Sequence, residues 1–456
     1  MPKQIKIKKG LNIPIEGEAP LSIVGHIKSD IVKICPEDFP GLIPKLKVKV
    51  GDIVKAGTPI LYDKNNENMF FVSPVSGEVT DIARGEKRKL LNITIKADKE
   101  NQSENFGKKN PSEMSGEEIK SFILNAGLWP FIKQRPYDVI ANPQKEARDI
   151  FVTGFSSVPL GPSFDFIIDR EPESLKAGLE ALTKLTQGKV YLSISTETKS
   201  DALRNAKSVE IFEFNPLHPA GNTGIQINNI APVNKGETVW TISALDLLII
   251  GRTLLKGEID FTRTIVYSGS ETVKKGYYTA ISGGELSSLF ASNVTKGKAL
   301  RYISGNVLTG TKIEENGTLR FYDSQVTVIP EGSDKHDFIG WASPGLNNKY
   351  SAGCTYPSKL MRLLNSAKKY RFDARLMGGQ RAIIMSNEYE KVFPMDILPE
   401  QLIKSTIAFN IDRMEELGIY EVAPEDFALC EFVDTSKLEI QSIIREGLLR
   451  LRKEME

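Results

Sequence analysis

Cysteine is nearly absent: the 456 residues hold only Cys35, Cys354 and Cys430, far apart in the chain. That excludes a legible disulfide framework and any Cys-x-x-Cys metal site. A four-thiolate iron–sulfur cluster cannot be assembled from three thiols. Histidine is equally scarce, and His26, His218 and His336 form no His-x-x-x-His pair that would offer a zinc-binding face. Long apolar runs are missing too. A membrane-crossing helix needs about 20 consecutive apolar residues, whereas the longest stretch, Ala244 to Ile250, is short and interrupted by Asp246. The N-terminus passes from Met1, Pro2 and Lys3 directly into an alternating pattern without an apolar core of the secretory type, so the expected compartment is the cytoplasm. Excess charge of one sign is also lacking. Lys plus Arg number 59 against 58 Asp plus Glu, with no long block of either, which argues against a footprint for nucleic acid or anionic lipid.

Nucleotide-binding loops are missing as well. Neither Gly-x-x-x-x-Gly-Lys-Ser/Thr nor Gly-x-Gly-x-x-Gly occurs, although close approach of backbone amides to a phosphate requires such glycines. There is no Gly-x-Ser-x-Gly elbow and no His-Glu-x-x-His helix.

What is present is a succession of differently patterned segments, and the length alone calls for several domains. Residues 1–98 alternate between short strands and turns punctuated by Gly51, Gly57, Gly77 and Gly85. The stretches VKVGDIVKAGTPIL (Val48 to Leu61) and VSPVSGEV (Val72 to Val79) resemble the barrel-sandwich hammerhead of biotinyl and lipoyl carrier domains. In those carriers the modified lysine sits on the hairpin between the two halves. Counting back from Ser73 puts Asn66 at that position, with Lys64 out of register, so a scaffold without a swinging arm is expected.

Residues 99–114 are polar and read as a disordered linker. Residues 115–257 then open with a Ser115/Glu118 capping box before a helix bearing Ile119, Phe122, Ile123 and Ala126. Strands at Ile150 to Phe155, Lys189 to Ile194 and Val209 to Phe214 alternate with helical segments, which predicts a Rossmann-like parallel layer. Residues 258–330 read as a β-grasp (SLBB-like) module, and residues 331–456 as a mixed, then helical region. Ser436 with Glu439 is expected to cap a last helix, whose stripe of Ile443, Ile444, Leu448 and Leu451 is expected to serve docking more than folding. The fold class is therefore α+β and multidomain.

The order of modules and eight local stretches carry a family resemblance. They are IKIKKGLNIPIEG (Ile5 to Gly17), RGEKRKL (Arg84 to Leu90), GLWPFIKQRP (Gly127 to Pro136), IFVTGFSSVPL (Ile150 to Leu160), HPAGNTG (His218 to Gly224), RYISGNVLTGT (Arg301 to Thr311), FIGWASPG (Phe338 to Gly345) and PEDFALCEF (Pro424 to Phe432). Over nearly its whole length the chain resembles the A-type subunit family of the bacterial sodium-translocating NADH:quinone oxidoreductase. More distantly it is similar to the C-type subunit of the Rnf complex and to the NADH-binding flavoprotein subunit of respiratory complex I.

The resemblance implies a peripheral subunit on the cytoplasmic face of the inner membrane, partnered by membrane and peripheral subunits B to F. It implies an assembly that oxidises NADH, reduces quinone to quinol and pumps sodium, with FMN, FAD, riboflavin and iron–sulfur centres in the partner subunits. The distant relatives carry a glycine-rich loop for FMN and NADH. Here that position holds Trp129 to Pro136, whose bulk opposes such an approach, and of the cluster cysteines only Cys430 remains. The chain itself is thus expected to bind no flavin, cluster or NADH, and to act in assembly or near quinone. A free-standing carrier or soluble-ligand-binding protein built on the hammerhead and β-grasp modules is the alternative.

The sequence-based quinone candidates are His218 and Gly221, because HPAG follows the strand ending at Phe214 and so lies at the carboxyl edge of the sheet. His218 is read as a hydrogen-bond or proton donor to quinone, titrating near neutrality, against a purely structural role for its loop. Gly221 and Gly224 also read as turn residues. Arg84, Lys87 and Arg88 offer a basic turn for an acidic partner, or a solvated one. Cys430 reads as a buried remnant, and Trp129, Trp240 and Trp341 as core or interface anchors.

Overall fold

Residues 31–97 close into two small sheets because their apolar residues alternate and glycines turn the chain between strands. The computed structural model describes residues 2–333, 349–352, 358, 361, 364, 365 and 367–456. One sheet orders Ile31–Ile34, Leu90–Ala97, Gly77–Arg84 and Ile53–Val54; the other orders Pro44–Leu46, Pro59–Asp63 and Asn66–Val72. Gly51 and Gly57 adopt φ of 92° and 96°, the left-handed region that a glycine enters without strain. Val32, Ile60, Leu61, Val79, Ile93 and Ile95 are sealed between the sheets, as a barrel-sandwich requires.

The hairpin lysine is placed differently from the expectation. Asp63 pairs with Asn66, so Lys64 and Asn65 form the two-residue turn, and Asn66 already belongs to the returning strand. A count along the sequence misses this because the strand Asn66–Val72 pairs with register irregularities.

Residues before Ile31 leave this module. Lys3–Ile5 lies parallel to Glu210–Phe214, and Ile23–His26 lies parallel to Gly276–Ile281. Edge strands of three and four residues carry too little alternation to be read from sequence. The expected linker also differs: residues 99–114 form an ordered strap. Glu104 N–H donates to the Ala56 carbonyl, Phe106 N–H to that of Gly257 and Lys109 N–H to that of Leu254. Its polar side chains gave no sign of this, because the docking runs through the backbone.

The central sheet orders Lys3–Ile5, Glu210–Phe214, Val190–Ser195, Ile150–Thr153, Val239–Ser243, Lys133–Arg135 and Val139–Ile140. The first five strands are parallel and the last two antiparallel. The predicted capping box forms, with the Ser115 hydroxyl accepting from Glu118 N–H and the Glu118 carboxylate accepting from Ser115 N–H. Helices Pro172–Thr183 and Ala244–Lys256 cross closely, because a Cβ on Gly251 would lie 1.8 Å from the Ser174 carbonyl oxygen. The apolar run Ala244 to Ile250 is the buried start of the second of these helices. Among the described residues, no helix is long and apolar enough to cross a membrane.

The third sheet orders Thr311–Ile313, Leu300–Ser304, Gln325–Pro330, Thr262–Ser268, Gly276–Ile281 and Ile23–His26, with helix Ser287–Asn293 against it. The C-terminal helices, among them Pro399–Ala408, Ala428–Val433 and Ile440–Met455, share a core with Phe151, Phe214 and Tyr137 of the α/β layer. This corrects the docking expectation for the last helix. Of that stripe Ile444, Leu448 and Leu451 are fully buried inside this chain, together with Ile440, while Ile443 is half-buried. The expected Ser436/Glu439 cap is not made either. The helix begins after Glu439 without a side-chain cap, and the Ser436 hydroxyl donates to the Ala382 carbonyl. Trp341, His336, Cys354 and the stretch FIGWASPG lie outside the described residues.

Candidate functional site

At the carboxyl ends of the parallel strands, the connection after Ile150–Thr153 meets the connection after Glu210–Phe214 and a loop from the N-terminal residues. Their meeting point is His218. Its backbone N–H donates to Asn12 Oδ1 at 2.8 Å, and its carbonyl accepts from Leu11 N–H at 2.8 Å. The side chain is buried, with Nδ1 3.0 Å from Ser157 Oγ. Gly221 N–H donates to the same Oγ at 2.8 Å. In the arrangement in which Ser157 accepts from Gly221 and donates to Nδ1, the imidazole proton sits on Nε2. That atom is buried and without a hydrogen-bond partner.

Burial lowers the His218 pKa to about 4. This corrects the titration expectation: His218 is neutral near pH 7, able to donate a hydrogen bond through Nε2 but not to supply a proton from an imidazolium. Gly221 is where it is for packing, since a Cβ would stand 2.6 Å from Ser157 N. Gly224 is held likewise, with a Cβ position 2.1 Å from Asp426 Oδ2. Beside this knot lies a cleft of about 220 Å³ lined by Asn12, Ile13, Ser156, Ser157, Val158, Pro159 and Pro216. It is smaller than the roughly 300–1,000 Å³ typical of pockets that enclose a ligand.

A second, charged knot adjoins the first. The Asn222 amide donates to the Glu425 carbonyl at 2.9 Å, linking HPAGNTG to PEDF. Arg135, fully buried, reaches Asp138 Oδ1 at 2.5 Å and Glu425 Oε1 at 3.6 Å. Arg445 of the last helix closes on Asp138 Oδ2 at 2.5 Å. Burial by itself would raise the Asp138 carboxyl, but Arg135, Lys133 and Arg445 hold it well below the usual carboxylate range. Asp426, also buried, goes the other way: burial, then the negative charge of Glu425, push its carboxyl up. Its Oδ2 accepts from Ala423 N–H at 2.9 Å, while Oδ1 has no partner. Sequence reasoning missed Asn12, Ser157, Arg135, Asp138 and Asp426 as individuals. The available signal was that most of them stand inside the stretches that carry the family resemblance.

The remaining candidates fall as follows. Trp129 donates from Nε1 to the Ala141 carbonyl at 2.7 Å and meets Trp240 edge to face at 5.2 Å, both in the core. Phe131 stacks on Phe321 at 4.8 Å. The segment from Trp129 to Phe131 thus fills its own space with side chains, and the residues present do not fit a flavin there. Cys430 is buried, and burial together with the nearby carboxylates of Glu390, Asp426 and Asp434 raises its thiol. Arg84, Lys87 and Arg88 stand in solvent. Among the described residues no group of three or more His, Cys, Asp or Glu side chains is arranged to hold a metal ion.

Three family models match the chain in succession: the NqrA N-terminal barrel-sandwich hybrid domain over residues 5–98, the NqrA second alpha/beta domain over 114–259 and the NQRA C-terminal domain over 264–315. Proteins named as the A-type subunit of Na(+)-translocating NADH-quinone reductase are similar end to end. That of Neisseria meningitidis serogroup B is 34% identical over 455 residues, and that of Hahella chejuensis is 35% identical over 455, each match covering 99% of this chain and 100% of the relative. The Pasteurella multocida protein is 34% identical over 457 residues with the same coverage. Among solved structures, an NAD+-reducing [NiFe]-hydrogenase in the air-oxidised state matches 49% of this chain and 50% of its own, at 14% identity and a TM-score of 0.35.

Proposed function

This chain belongs to the A-type subunit family of the Na(+)-translocating NADH-quinone reductase, and from that premise we propose that it serves the complex as an architectural clamp, with the His218 knot as its point of contact with quinone. As a member of that family it works within a multisubunit oxidoreductase and not alone. We place it on the cytoplasmic face of the inner membrane, against subunits B to F, with flavins and iron–sulfur centres held by those partners.

The observation that carries this reading is the unpartnered, buried Nε2 of His218, whose hydrogen-bond partners Asn12 and Ser157 line a small cleft. A buried donor left unpaired costs about 1–3 kcal/mol, a cost that a ligand oxygen removes. A quinone carbonyl is an acceptor of that kind. The cleft is smaller than pockets that usually enclose a ligand, which fits a clamp at the edge of a pocket shared with a neighbouring subunit. The side chains packed from Trp129 to Phe131 support the assignment of flavin to other chains.

Quinone titration of assembled complex carrying His218→Gln tests the proposal. Gln keeps a donor, so assembly should persist while quinone reduction weakens, the loss growing as quinone becomes limiting. A titration curve identical to wild type would remove quinone contact from the role of this chain and leave only the clamp.

A further inference from the structure

The hairpin Gly77–Arg84/Leu90–Ala97 runs on past the sheet that holds its base. Its neighbour Ile31–Ile34 stops pairing at Ile93, and Ile53–Val54 pairs only with Gly77 and Glu78. From Ile82 to Asn92 the two strands pair solely with each other, with Ile82 and Leu90 packed on the core and the ribbon's edges unpaired.

The end of that ribbon is basic. Residues 82–92 contain Arg84, Lys87, Arg88 and Lys89 against a single acid, Glu86, for a net charge of +3. All five side chains are exposed, and none makes an ion pair among the described residues. Lys87 and Arg88 hold φ of 52° and 61°, and the Arg84 guanidinium donates to the Arg88 carbonyl at 3.0 Å, which fixes the turn with its cations outward. Leu91, 44% exposed, lies against Gly85 at the same end, so the tip combines cations with an uncovered aliphatic side chain. The near-zero balance of the whole chain conceals this local charge.

We propose that this ribbon tip is a contact for an anionic phospholipid surface, set beside the membrane part of the complex. Charge complementarity argues for it. Clustered Lys and Arg near a bilayer are drawn to the negative surface potential within about a Debye length. Leu91 adds an apolar group suited to the headgroup boundary. A ribbon free on both edges can lie against a lipid surface without moving the rest of the fold. An acidic protein surface could also take the cations and the leucine; the association of the complex with a membrane favours the bilayer as the occupant. The inference uses the membrane association of the complex and is independent of the quinone reading.

Co-sedimentation of the full chain with vesicles decides it, using phosphatidylcholine alone and phosphatidylcholine with phosphatidylglycerol. Binding should appear with the anionic vesicles only and disappear at high salt. The double variant Lys87→Glu/Arg88→Glu should weaken it roughly tenfold or more, and Leu91→Ser should weaken it by a smaller factor. A control, Lys45→Glu/Lys49→Glu, changes the same charge elsewhere on the same module and should bind like wild type. The proposal is overturned if neither vesicle is bound, if both compositions are bound equally, or if the control loses binding as much as the tip variant does. Normal lipid binding by the tip variant together with failure to join its partner subunits would assign the tip to an acidic protein surface and overturn it too.

Discussion

Deleting residues 436–456 should destroy the folded C-terminal region and not merely weaken assembly. The last helix places Ile440, Ile444, Leu448 and Leu451 at zero exposure among residues of the α/β layer and the neighbouring helices. Full burial of an aliphatic side chain contributes about 1.5–3 kcal/mol, so these four represent roughly 6–12 kcal/mol, as large as the about 5–15 kcal/mol by which a typical protein is stable. The deletion also takes Arg445 from Asp138, where its guanidinium additionally donates to the carbonyls of Tyr137 at 3.2 Å and Asp138 at 2.9 Å. Arg135 and Asp138 would then face water in place of a packed helix. Soluble yield of the chain expressed alone, followed by urea unfolding monitored by far-UV circular dichroism, measures the effect. Leu448→Ala supplies a graded version, expected to cost about 2–5 kcal/mol in the transition of the C-terminal region alone, since a chain of several domains need not unfold in one step. A truncated chain that stays soluble, with an unfolding midpoint equal to that of the full-length protein, would refute the reasoning and return the helix to a docking role.

Acid should destabilise the protein through His218. Its folded pKa of about 4 lies below the ordinary 6.5, so the unfolded chain takes up the proton first. Stability is then complete above pH 6.5 and falls as pH drops toward 4, by roughly 3 kcal/mol. Urea midpoints at pH 7 and pH 4.5 should show the loss in wild type and less of it in His218→Gln; an equal loss in both would assign acid sensitivity elsewhere. Asp426 carries the opposite sign. Its raised carboxyl keeps a proton in the folded state that the unfolded chain has released, so its contribution falls as pH rises from the ordinary carboxylate range, near 4, through the raised folded value. Asp426→Asn retains an acceptor for Ala423 N–H and should flatten that slope, making the variant relatively more stable at pH 8 than at pH 5. Parallel pH profiles for variant and wild type would contradict the assignment.

Local rules made much of the fold legible in the sequence. The Ser115/Glu118 box, the turns at Gly51 and Gly57, and the alternation of β and α segments from Ile150 onward each act within a few residues, so neighbouring letters suffice to predict them. The family resemblance was also legible, because its stretches are contiguous. Other features were decided only when distant segments met. Lys3–Ile5 became a strand because Glu210–Phe214 offered it an edge, and residues 99–114 became ordered through backbone contacts that their polar side chains do not announce. The docking stripe of the last helix turned out to be core because the α/β layer was there to cover it. The candidate site divides in the same way. Sequence located His218 at the carboxyl edge of a sheet, but its charge state follows from burial, and its free Nε2 from Ser157, which stands 61 positions earlier in the chain. Spacing records which residues lie near one another along the chain; solvation and hydrogen bonding depend on which lie near one another in space.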